Sequence, residues 1–195
     1  IYKERQDFYN RQGLDFQKNR EFILEKTGRL EGCILEIASG KGKTAIALAQ
    51  AGYTIDSIDV DKEMLKVAAL NLAYKKLLSN VKLHLMNVYA LDFKDNSFDN
   101  IFMIEALHHI DDLDGVLSEI DRVLVKGGKL VLADFNGKGM KIVDHSHEQE
   151  GNVHKNSFVD EEAAMKWMSS RNYKINCYED KCHWVIVAEK GSDNE

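Results

Sequence analysis

Short apolar runs alternate along the chain with longer stretches in which apolar residues recur at helical spacing. A continuous apolar run is typical of a parallel strand buried on both faces, and spacing of i, i+3 and i+4 is typical of a helix packed on a sheet. The first pair is a strand from Ile34 to Ile37 and an alanine-rich helix that begins at Lys43 and stops near Gly52. The repeated alternation predicts an α/β fold with a mostly parallel sheet.

The alternation continues without a break in composition that would mark a linker. Further strands are predicted over residues 54–60, 81–86, 101–104, 129–134, 173–178 and 183–189. Further helices are predicted over residues 2–30, 62–78, 113–124 and 158–171. Asp61 is expected to cap the helix that follows it, and Asp111 or Asp112 to begin the next one. A chain of 195 residues with this pattern is predicted to form one domain, residues 1–195.

A glycine turn joins the first strand to its helix. Gly40 and Gly42 lack a Cβ atom, so the turn can adopt positive φ and a ligand can approach its bare backbone. Glu36 adds a carboxylate at the end of the strand. Asp59 ends the next strand about 20 residues further on, where a βαβ unit places an acid against ribose hydroxyls. The unit therefore predicts a site for a nucleotide-like ligand.

Three ligand classes compete for this turn. A phosphate-binding loop needs a glycine five residues before Gly42, where the chain has Ile37. A nicotinamide fingerprint stays open, because Ala45 occupies the place of its third glycine and alanine is allowed there. Glu36 favours the third class, since a carboxylate repels pyrophosphate but attracts the ammonium or hydroxyl groups of a ligand such as S-adenosylmethionine.

Taken with these residues, the chain resembles the class I S-adenosylmethionine-dependent methyltransferases, in the branch that includes small-molecule and quinone-type methylases. The resemblance covers about residues 34–135 and begins with the motif acid-x-G-x-G-x-G at 36–42. Ala38 replaces the first glycine, and we expect it to restrict the backbone to ordinary φ. The chain also resembles the family's second motif at residues 58–61, which are followed by Met64 and Leu65.

Later segments match the family in the same order and spacing. They are the turn at 87–92, the "sFD" strand entry at 97–99, the "lhh" turn at 105–110, and the "RvLkpGG" segment at 122–128. Lys126 stands where the family usually has proline. The ordered set is far more specific than any single motif.

The resemblance implies both a fold and a cofactor site. The fold is a Rossmann-like, seven-stranded, mostly parallel sheet in the order 3-2-1-4-5-7-6, with the last strand antiparallel and helices on both faces. The implied cofactor is S-adenosylmethionine, which leaves as S-adenosylhomocysteine. The implied cofactor contacts are Glu36, Ala38, Ser39, Gly40, Asp59, Val60, Asn87, Val88 and Glu105. For Asn87 a simple turn function, bonding its own backbone, is an equal alternative.

Three histidines are candidate catalytic bases. His108 and His109 follow a strand at its carboxyl end, and His145 lies in the segment after the fifth strand. Their ordinary pKa lies near physiological pH, which suits proton transfer from a phenol or amine acceptor. An acidic thiol or enol acceptor would need no strong base, and histidines in this turn also serve structural functions. Both interpretations stay open.

Two segments on either side of the family-like region 34–135 are expected to bind the acceptor. Residues 1–30 are predicted to form a helical lid on which Tyr2, Phe8 and Tyr9 line the pocket, and residues 136–156 to form an acceptor-side segment. That segment holds His145, His147 and His154, which would suit a transition metal. The alternative is a polar surface, and no metal site is predicted.

Composition narrows the class further. The chain has 26 basic and 32 acidic residues, a net charge of −6, and no basic stripe, so nucleic acid is not expected as a substrate. No apolar run approaches the roughly 18 residues of a membrane span. Three cysteines, an odd number, without a secretory segment before them favour the cytoplasm. The oligomeric state is left open.

The sequence therefore predicts transfer of a methyl group from S-adenosylmethionine to a small molecule, mainly by binding and alignment. Two alternatives remain. One is a non-catalytic protein that binds S-adenosylmethionine as a sensor or as a partner subunit. The other is an NAD-dependent oxidoreductase. Nothing in the sequence identifies the acceptor.

Overall fold

Seven strands form one sheet in the order β3-β2-β1-β4-β5-β7-β6. The computed structural model describes residues 8–149 and 161–192. The strands are β1 (Ile34–Ile37), β2 (Ile55–Asp59), β3 (Val81–Leu85), β4 (Phe98–Ile104), β5 (Leu124–Phe135), β6 (Tyr173–Glu179) and β7 (His183–Lys190). The order is the predicted one.

Helices flank the sheet. They are α1 (Phe16–Thr27), α2 (Lys43–Gln50), α3 (Lys62–Tyr74), α4 (Leu113–Val123), α5 (Gly137–Gln149) and α6 (Glu161–Ser169). Residues 8–12 are also helical. The side chain of Asp61 accepts from two N–H groups at the start of α3, and that of Asp112 accepts from Gly115 N, which confirms both predicted caps.

The pairing of the strands sets the direction of the sheet. β1 pairs in parallel with β2 and with β4, and β4 pairs in parallel with β5. β7 is antiparallel to both β5 and β6. The last strand is therefore antiparallel, as predicted. The carboxyl ends of β1 to β5 meet at one edge, which is where open α/β sheets bind ligands.

Apolar side chains cover both faces of the sheet. On one face α4 buries Val116, Leu117, Ile120 and Val123 against β1, β4 and β5. On the other face Ile23 of α1, Leu48 of α2 and Leu72 of α3 pack on the sheet. This division confirms helices on both faces. Buried apolar area of this kind is the main stabilising contribution to such a fold.

The N-terminal part departs from the predicted single helix over 2–30. Gly13 has φ +87 and interrupts the helical backbone, and α1 begins only after Asp15, whose side chain accepts from the N–H groups of Gln17 and Lys18. Residues 2–7 lie outside the described part of the chain. α3 is also shorter than predicted, because Lys76 has φ +60 and ends the helical backbone.

A third cluster of buried residues lies beside the carboxyl edge. It joins the helical residues 8–12, α1, α5 and the turn between β6 and β7. A Cβ atom on Gly139 would lie 2.1 Å from the carbonyl oxygen of Cys182, so α5 packs tightly against this turn. The same oxygen accepts from Asn136 N at 2.9 Å. α5 is therefore fixed to the β6–β7 turn at its first residues.

Candidate active site

The turn after β1 adopts a left-handed backbone at three positions. Ala38 has φ +61, Gly40 φ +51 and Gly42 φ +78. The expectation that Ala38 keeps an ordinary φ is therefore wrong. A left-handed conformation costs a non-glycine residue roughly 1–2 kcal/mol, and the surrounding turn has to compensate for it. Strain of this kind is found where a backbone is held for a ligand.

The same turn exposes backbone and one hydroxyl group. A Cβ atom built on Gly40 meets nothing within 4 Å, so the space beside it is open. Among the described residues, the Oγ atom of Ser39 is buried and has no hydrogen-bond partner. α2 begins immediately after Gly42, and its N-terminus faces this space with a partial positive charge. These features fit an anionic, hydrogen-bonding group such as the carboxylate of a methionine moiety.

Glu36 lies beneath the turn rather than on its open side. Its residue is only 3% exposed, Ser57 Oγ donates a hydrogen bond to its carboxylate, and Ala45 N donates another at 3.0 Å. Burial raises the pKa of Glu36 from 4.5 to about 7, although these hydrogen bonds lower it. Its contact with a cofactor stays a prediction.

Asp59 links the first turn to the second. Its Oδ2 atom accepts from Gly40 N at 2.7 Å, and its Oδ1 atom accepts from Asp61 N at 2.8 Å. A carboxylate has about four acceptor positions, so Asp59 retains capacity for a pair of ribose hydroxyls. The next side chain, Val60, is 70% exposed at this edge and offers an apolar surface.

The turn after β3 contains Asn87 and Val88. The Oδ1 atom of Asn87 accepts from Tyr89 N at 3.0 Å, so the turn function proposed as the alternative is present. Val88 is partly buried against the main core. The contact of either residue with adenine stays a prediction.

Glu105 follows the last residue of β4 and contacts two basic side chains at the edge. It has φ +56, and its carboxylate forms an ion pair with Arg20 of α1 and accepts from His183 Nε2 at 3.2 Å. Burial raises the pKa of Glu105, but the Arg20 charge and these hydrogen bonds hold it well below its usual range. Glu105 is therefore a buried carboxylate that keeps its charge at neutral pH.

The network continues to the β6–β7 turn. Asp180 accepts from Asn19 Nδ2 at 2.7 Å, from the His183 ring at 3.2 Å, and from the backbone N–H groups of Cys182 and His183. Burial lowers the pKa of His183, but hydrogen bonds to Asp180 and Glu105 outweigh it, so the pKa is raised. α1, β4 and β7 are thus joined by charged side chains.

His108 lies one turn beyond Glu105. Its Nδ1 atom is 2.7 Å from Oδ1 of Asp134, and its backbone N–H donates to Oδ2 of the same residue at 3.0 Å. Both side chains are buried. When the Asp134 carboxylate accepts from Nδ1–H, Nε2 is the ring nitrogen that takes up a proton. His109 is exposed, with its ring centroid 4.0 Å from that of His108.

His145 lies elsewhere, on α5. Its ring centroid is 5.8 Å from that of Phe8. The two side chains line a cavity of about 340 Å³ together with Gln12, Lys138, Lys141 and Ile142. Both segments that were expected to bind the acceptor therefore contribute to one cavity. Tyr9 is buried in the third cluster, and Tyr2 lies outside the described residues.

Comparison of the sequence with models of known protein families shows which family the chain belongs to. The family model described as "Methyltransferase domain" matches residues 35–132, from β1 almost to the end of β5. The chain belongs to this family of methyltransferase domains. The match spans all four turns described above, which confirms the resemblance found in the sequence.

Curated bacterial methyltransferases are similar in sequence to this methyltransferase-domain chain. It is 29% identical over 164 residues to the "Uncharacterized methyltransferase YcgJ" of Bacillus subtilis (84% of this chain, 64% of that protein). It is 29% identical over 133 residues to the "Ubiquinone/menaquinone biosynthesis C-methyltransferase UbiE" of a Marinomonas species (67% of this chain, 53% of that protein). The chain thus spans between half and two thirds of the length of these curated relatives.

A solved structure supports the fold. The crystal structure of a "putative s-adenosyl-l-methionine-dependent methyltransferase" from Methanococcus maripaludis matches this chain with a TM-score of 0.72. The sequences are 23% identical, and the match covers 92% of this chain and 86% of the other. The seven-stranded fold of the methyltransferase-domain chain is therefore shared with proteins of quite different sequence.

Sequence reasoning missed three residues of this site, namely Arg20, Asp134 and Asp180. Each forms its contact with a residue that is distant in the sequence. Arg20 donates to Glu105, 85 positions away, and Asp180 accepts from Asn19, 161 positions away. Within residues 8–149 and 161–192 no three His, Cys, Asp or Glu side chains are grouped so as to hold a metal. In that same part of the chain no helix has the length and apolarity to cross a membrane.

Proposed function

We propose that this chain binds S-adenosylmethionine at the carboxyl edge of β1 to β4 and transfers its methyl group to a small molecule. The observation that carries the proposal is the turn after β1. It combines the open backbone of Gly40, anchored by Asp59, with a buried Ser39 hydroxyl that has no partner in the described structure. Membership of the methyltransferase-domain family supports it.

The cofactor contacts are proposed along that edge. Asp59 receives the ribose hydroxyls, Val60 and Val88 flank the adenine, and the N–H groups of the turn with Ser39 receive the carboxylate. The remaining proposed contacts are Glu36, Ala38, Gly40, Asn87 and Glu105. S-adenosylmethionine supplies a methyl group that is already activated on a sulfonium sulfur, so the protein mainly has to align the two reactants.

His108 is the proposed base. Its orientation by Asp134 fixes the ring, and the carboxylate stabilises the imidazolium that forms when Nε2 takes the proton of a phenol, amine or carbon acid. His109 and His145 are weaker candidates, because His109 is exposed and His145 lies on α5 against Phe8. An acceptor that is already ionised needs no base and only the alignment.

The setting of the reaction belongs to the same proposal. One relative is named for C-methylation in quinone biosynthesis, which supports a small organic acceptor rather than nucleic acid. Cys33, Cys177 and Cys182 are free thiols, which supports a reducing compartment, the cytoplasm. Residues 1–195 are proposed to act as a single domain with 1–30 covering the cofactor.

Calorimetry with S-adenosylmethionine and with NAD tests the donor. We expect the first to bind and the second not to, and we expect Asp59→Ala to weaken binding about tenfold by removing charged hydrogen bonds. Asp56→Ala, on the same strand, is the matched control and should bind normally. Equal affinity of Asp59→Ala and the unaltered protein, or tighter binding of NAD, would overturn the donor assignment.

A second assay separates an enzyme from a sensor. The unaltered protein is incubated with S-adenosylmethionine and a panel of phenols, amines, thiols and quinols, and S-adenosylhomocysteine is measured. Acceptor-dependent formation of the product supports the enzyme. Tight donor binding without product from any acceptor class would favour the sensor or partner subunit.

A further inference from the structure

The cavity between residues 8–12 and α5 has an unusual charge for this protein. Lys138, Lys141 and His145 lie at i, i+3 and i+7 of α5, so one face of the helix carries three basic side chains to the same cavity. The whole chain has a net charge of −6. This accumulation of basic groups runs against the average composition of the surface.

No carboxylate in the described part of the chain neutralises the two lysines. Neither Lys138 nor Lys141 forms an ion pair with any residue between 8 and 149 or between 161 and 192. The acidic residues of α5, Asp144 and Glu148, are not among the side chains that line the cavity. Among the residues that the structure describes, the cavity lining therefore has two ammonium groups and no carboxylate.

Part of the cavity wall is apolar. Phe8, from residues 8–12, and Ile142, from α5, pack partly buried on the third cluster and turn the rest of their surface to the cavity. Gln12 adds an amide group from the same helical segment as Phe8. A volume of about 340 Å³ lies within the range of small-molecule sites. The lining thus matches a ligand with one anionic group and an aromatic or alkyl body.

The position of the cavity relates it to the reaction. β5 ends with Asp134 and Phe135, and α5 begins two residues after Phe135. Asp134 orients His108, and the ring centroid of Phe135 lies 5.5 Å from that of His108. The tight contact of Gly139 with Cys182 fixes the start of α5. The cavity wall and the residues that contact the proposed base are therefore neighbouring parts of one segment of the chain.

We infer that the cavity binds the methyl acceptor, and that this acceptor is an amphiphilic anion whose carboxylate, sulfonate or phosphate group contacts Lys138 and Lys141. Its apolar body lies against Phe8 and Ile142. The inference rests on the proposed function for the reaction, but the binding site itself can be measured without a methyl donor.

A matched pair of fluorescent dyes provides the test. 1-Anilinonaphthalene-8-sulfonate carries an anionic group on an aromatic body, and N-phenyl-1-naphthylamine has the same body without the charge. Both are titrated into the full chain, with S-adenosylhomocysteine present to occupy the donor site. We expect the sulfonate to bind about fivefold more tightly than the neutral dye, as a partly exposed ion pair contributes up to about 1 kcal/mol.

Variants then localise the dye. Lys138→Gln/Lys141→Gln should weaken the sulfonate about fivefold, to the affinity of the neutral dye, and leave the neutral dye unchanged, because the charged contacts are lost. Lys138→Arg/Lys141→Arg should restore most of the affinity. Lys82→Gln, an exposed lysine on β3 at the opposite end of the sheet, is the matched control and should have no effect.

Displacement of the dye identifies the anion. Octanoate and octyl phosphate are added as competitors, and the stronger one indicates a carboxylate or a phosphate acceptor. Equal affinity for the two dyes, the same loss in Lys82→Gln as in the double variant, or displacement by neither competitor would overturn the inference. Failure of the dye experiment leaves donor binding untouched, and failure of donor binding leaves the dye result valid, so the two proposals are distinguishable.

Discussion

The proposed donor edge and the proposed acceptor side are built in different ways. The donor edge comprises the turns at 36–42, 59–61 and 87–89, where backbone N–H groups bond side chains of the same or an adjacent turn, as Gly40 N bonds Asp59. The acceptor side comprises residues 8–12, α1, α5 and the β6–β7 turn, where side chains such as Asn19 and Asp180 meet across 161 positions of the chain.

The difference explains what each region reveals. A backbone conformation depends on a few neighbouring residues, so a short motif identifies the donor in many sequences. A pocket assembled from distant elements leaves no motif, because its lining residues are dispersed over segments that are far apart in the sequence. Donor chemistry is therefore shared by a family, and acceptor chemistry belongs to the individual protein.

The largest expected effect separates chemistry from donor binding. His108→Asn keeps a hydrogen-bond donor for Asp134 but lacks a base, so kcat should fall about 100-fold while the Kd for S-adenosylmethionine stays the same. His109→Asn, at the exposed neighbour, is the control and should keep most activity. Steady-state kinetics and calorimetry measure both. An unchanged kcat would show that His108 does not act as the base.

Breaking the charged network should affect the stability of the acceptor side. Arg20→Met removes the guanidinium that pairs with the largely buried Glu105 carboxylate and leaves this carboxylate with the hydrogen bond from His183, and loss of one partner of a buried pair costs about 3 kcal/mol. Urea unfolding measures the change. Lys18→Met, on the exposed surface of the same helix, should cost less than 0.5 kcal/mol, as an order-of-magnitude value for surface positions. Equal losses would show that the network adds nothing.

The same pair has a pH dependence. The folded pKa of Glu105 is below its ordinary 4.5, so its contribution to stability is full above about pH 4.5 and is lost as the pH falls through the folded pKa. In Arg20→Met this acid-dependent loss should be smaller, because the interaction that holds the pKa down is gone. Unfolding free energies at pH 3 and pH 6 compare the two proteins. An identical acid dependence would contradict the assignment.

Glu36, on the donor edge, makes the stability of the protein depend on pH in the opposite direction. Its pKa is raised from 4.5 to about 7, so the folded protein binds an extra proton and stability falls as the pH rises through this interval. Glu36→Gln resembles the protonated form and should be more stable than the unaltered protein at pH 8 by about 2–3 kcal/mol, but not at pH 4. A constant difference across this range would exclude the raised pKa.

Ala38→Gly should have the smallest effect. Glycine removes the strain of φ +61, and the greater freedom of the unfolded chain offsets part of the gain, so stability should rise by about 0.5 kcal/mol. Ala49→Gly, within α2, is the control and should lose about 1 kcal/mol. Thermal unfolding compares both. A loss in Ala38→Gly would mean that the methyl group of Ala38 packs favourably in the turn.

Apolar periodicity predicted the strands and helices, and the glycine motif predicted the first turn, because both signals are local; the sheet order was implied by the resemblance to the methyltransferase family. The sequence did not predict the left-handed φ of Ala38, since that conformation is imposed by the turn around it. It also missed the pairing of Arg20 with Glu105 and of His108 with Asp134, because these depend on which strands become neighbours. The break at Gly13 was overlooked within a pattern that otherwise looks helical.

Gly139 sets a limit on how the specificity of this protein can be redesigned. A side chain at this position would collide with the Cys182 carbonyl and push α5 away from the β6–β7 turn. A library that varies 138, 141, 142 and 145 but keeps glycine at 139 would change the lining of the cavity without moving its wall. New acceptors can then be selected on an unchanged scaffold.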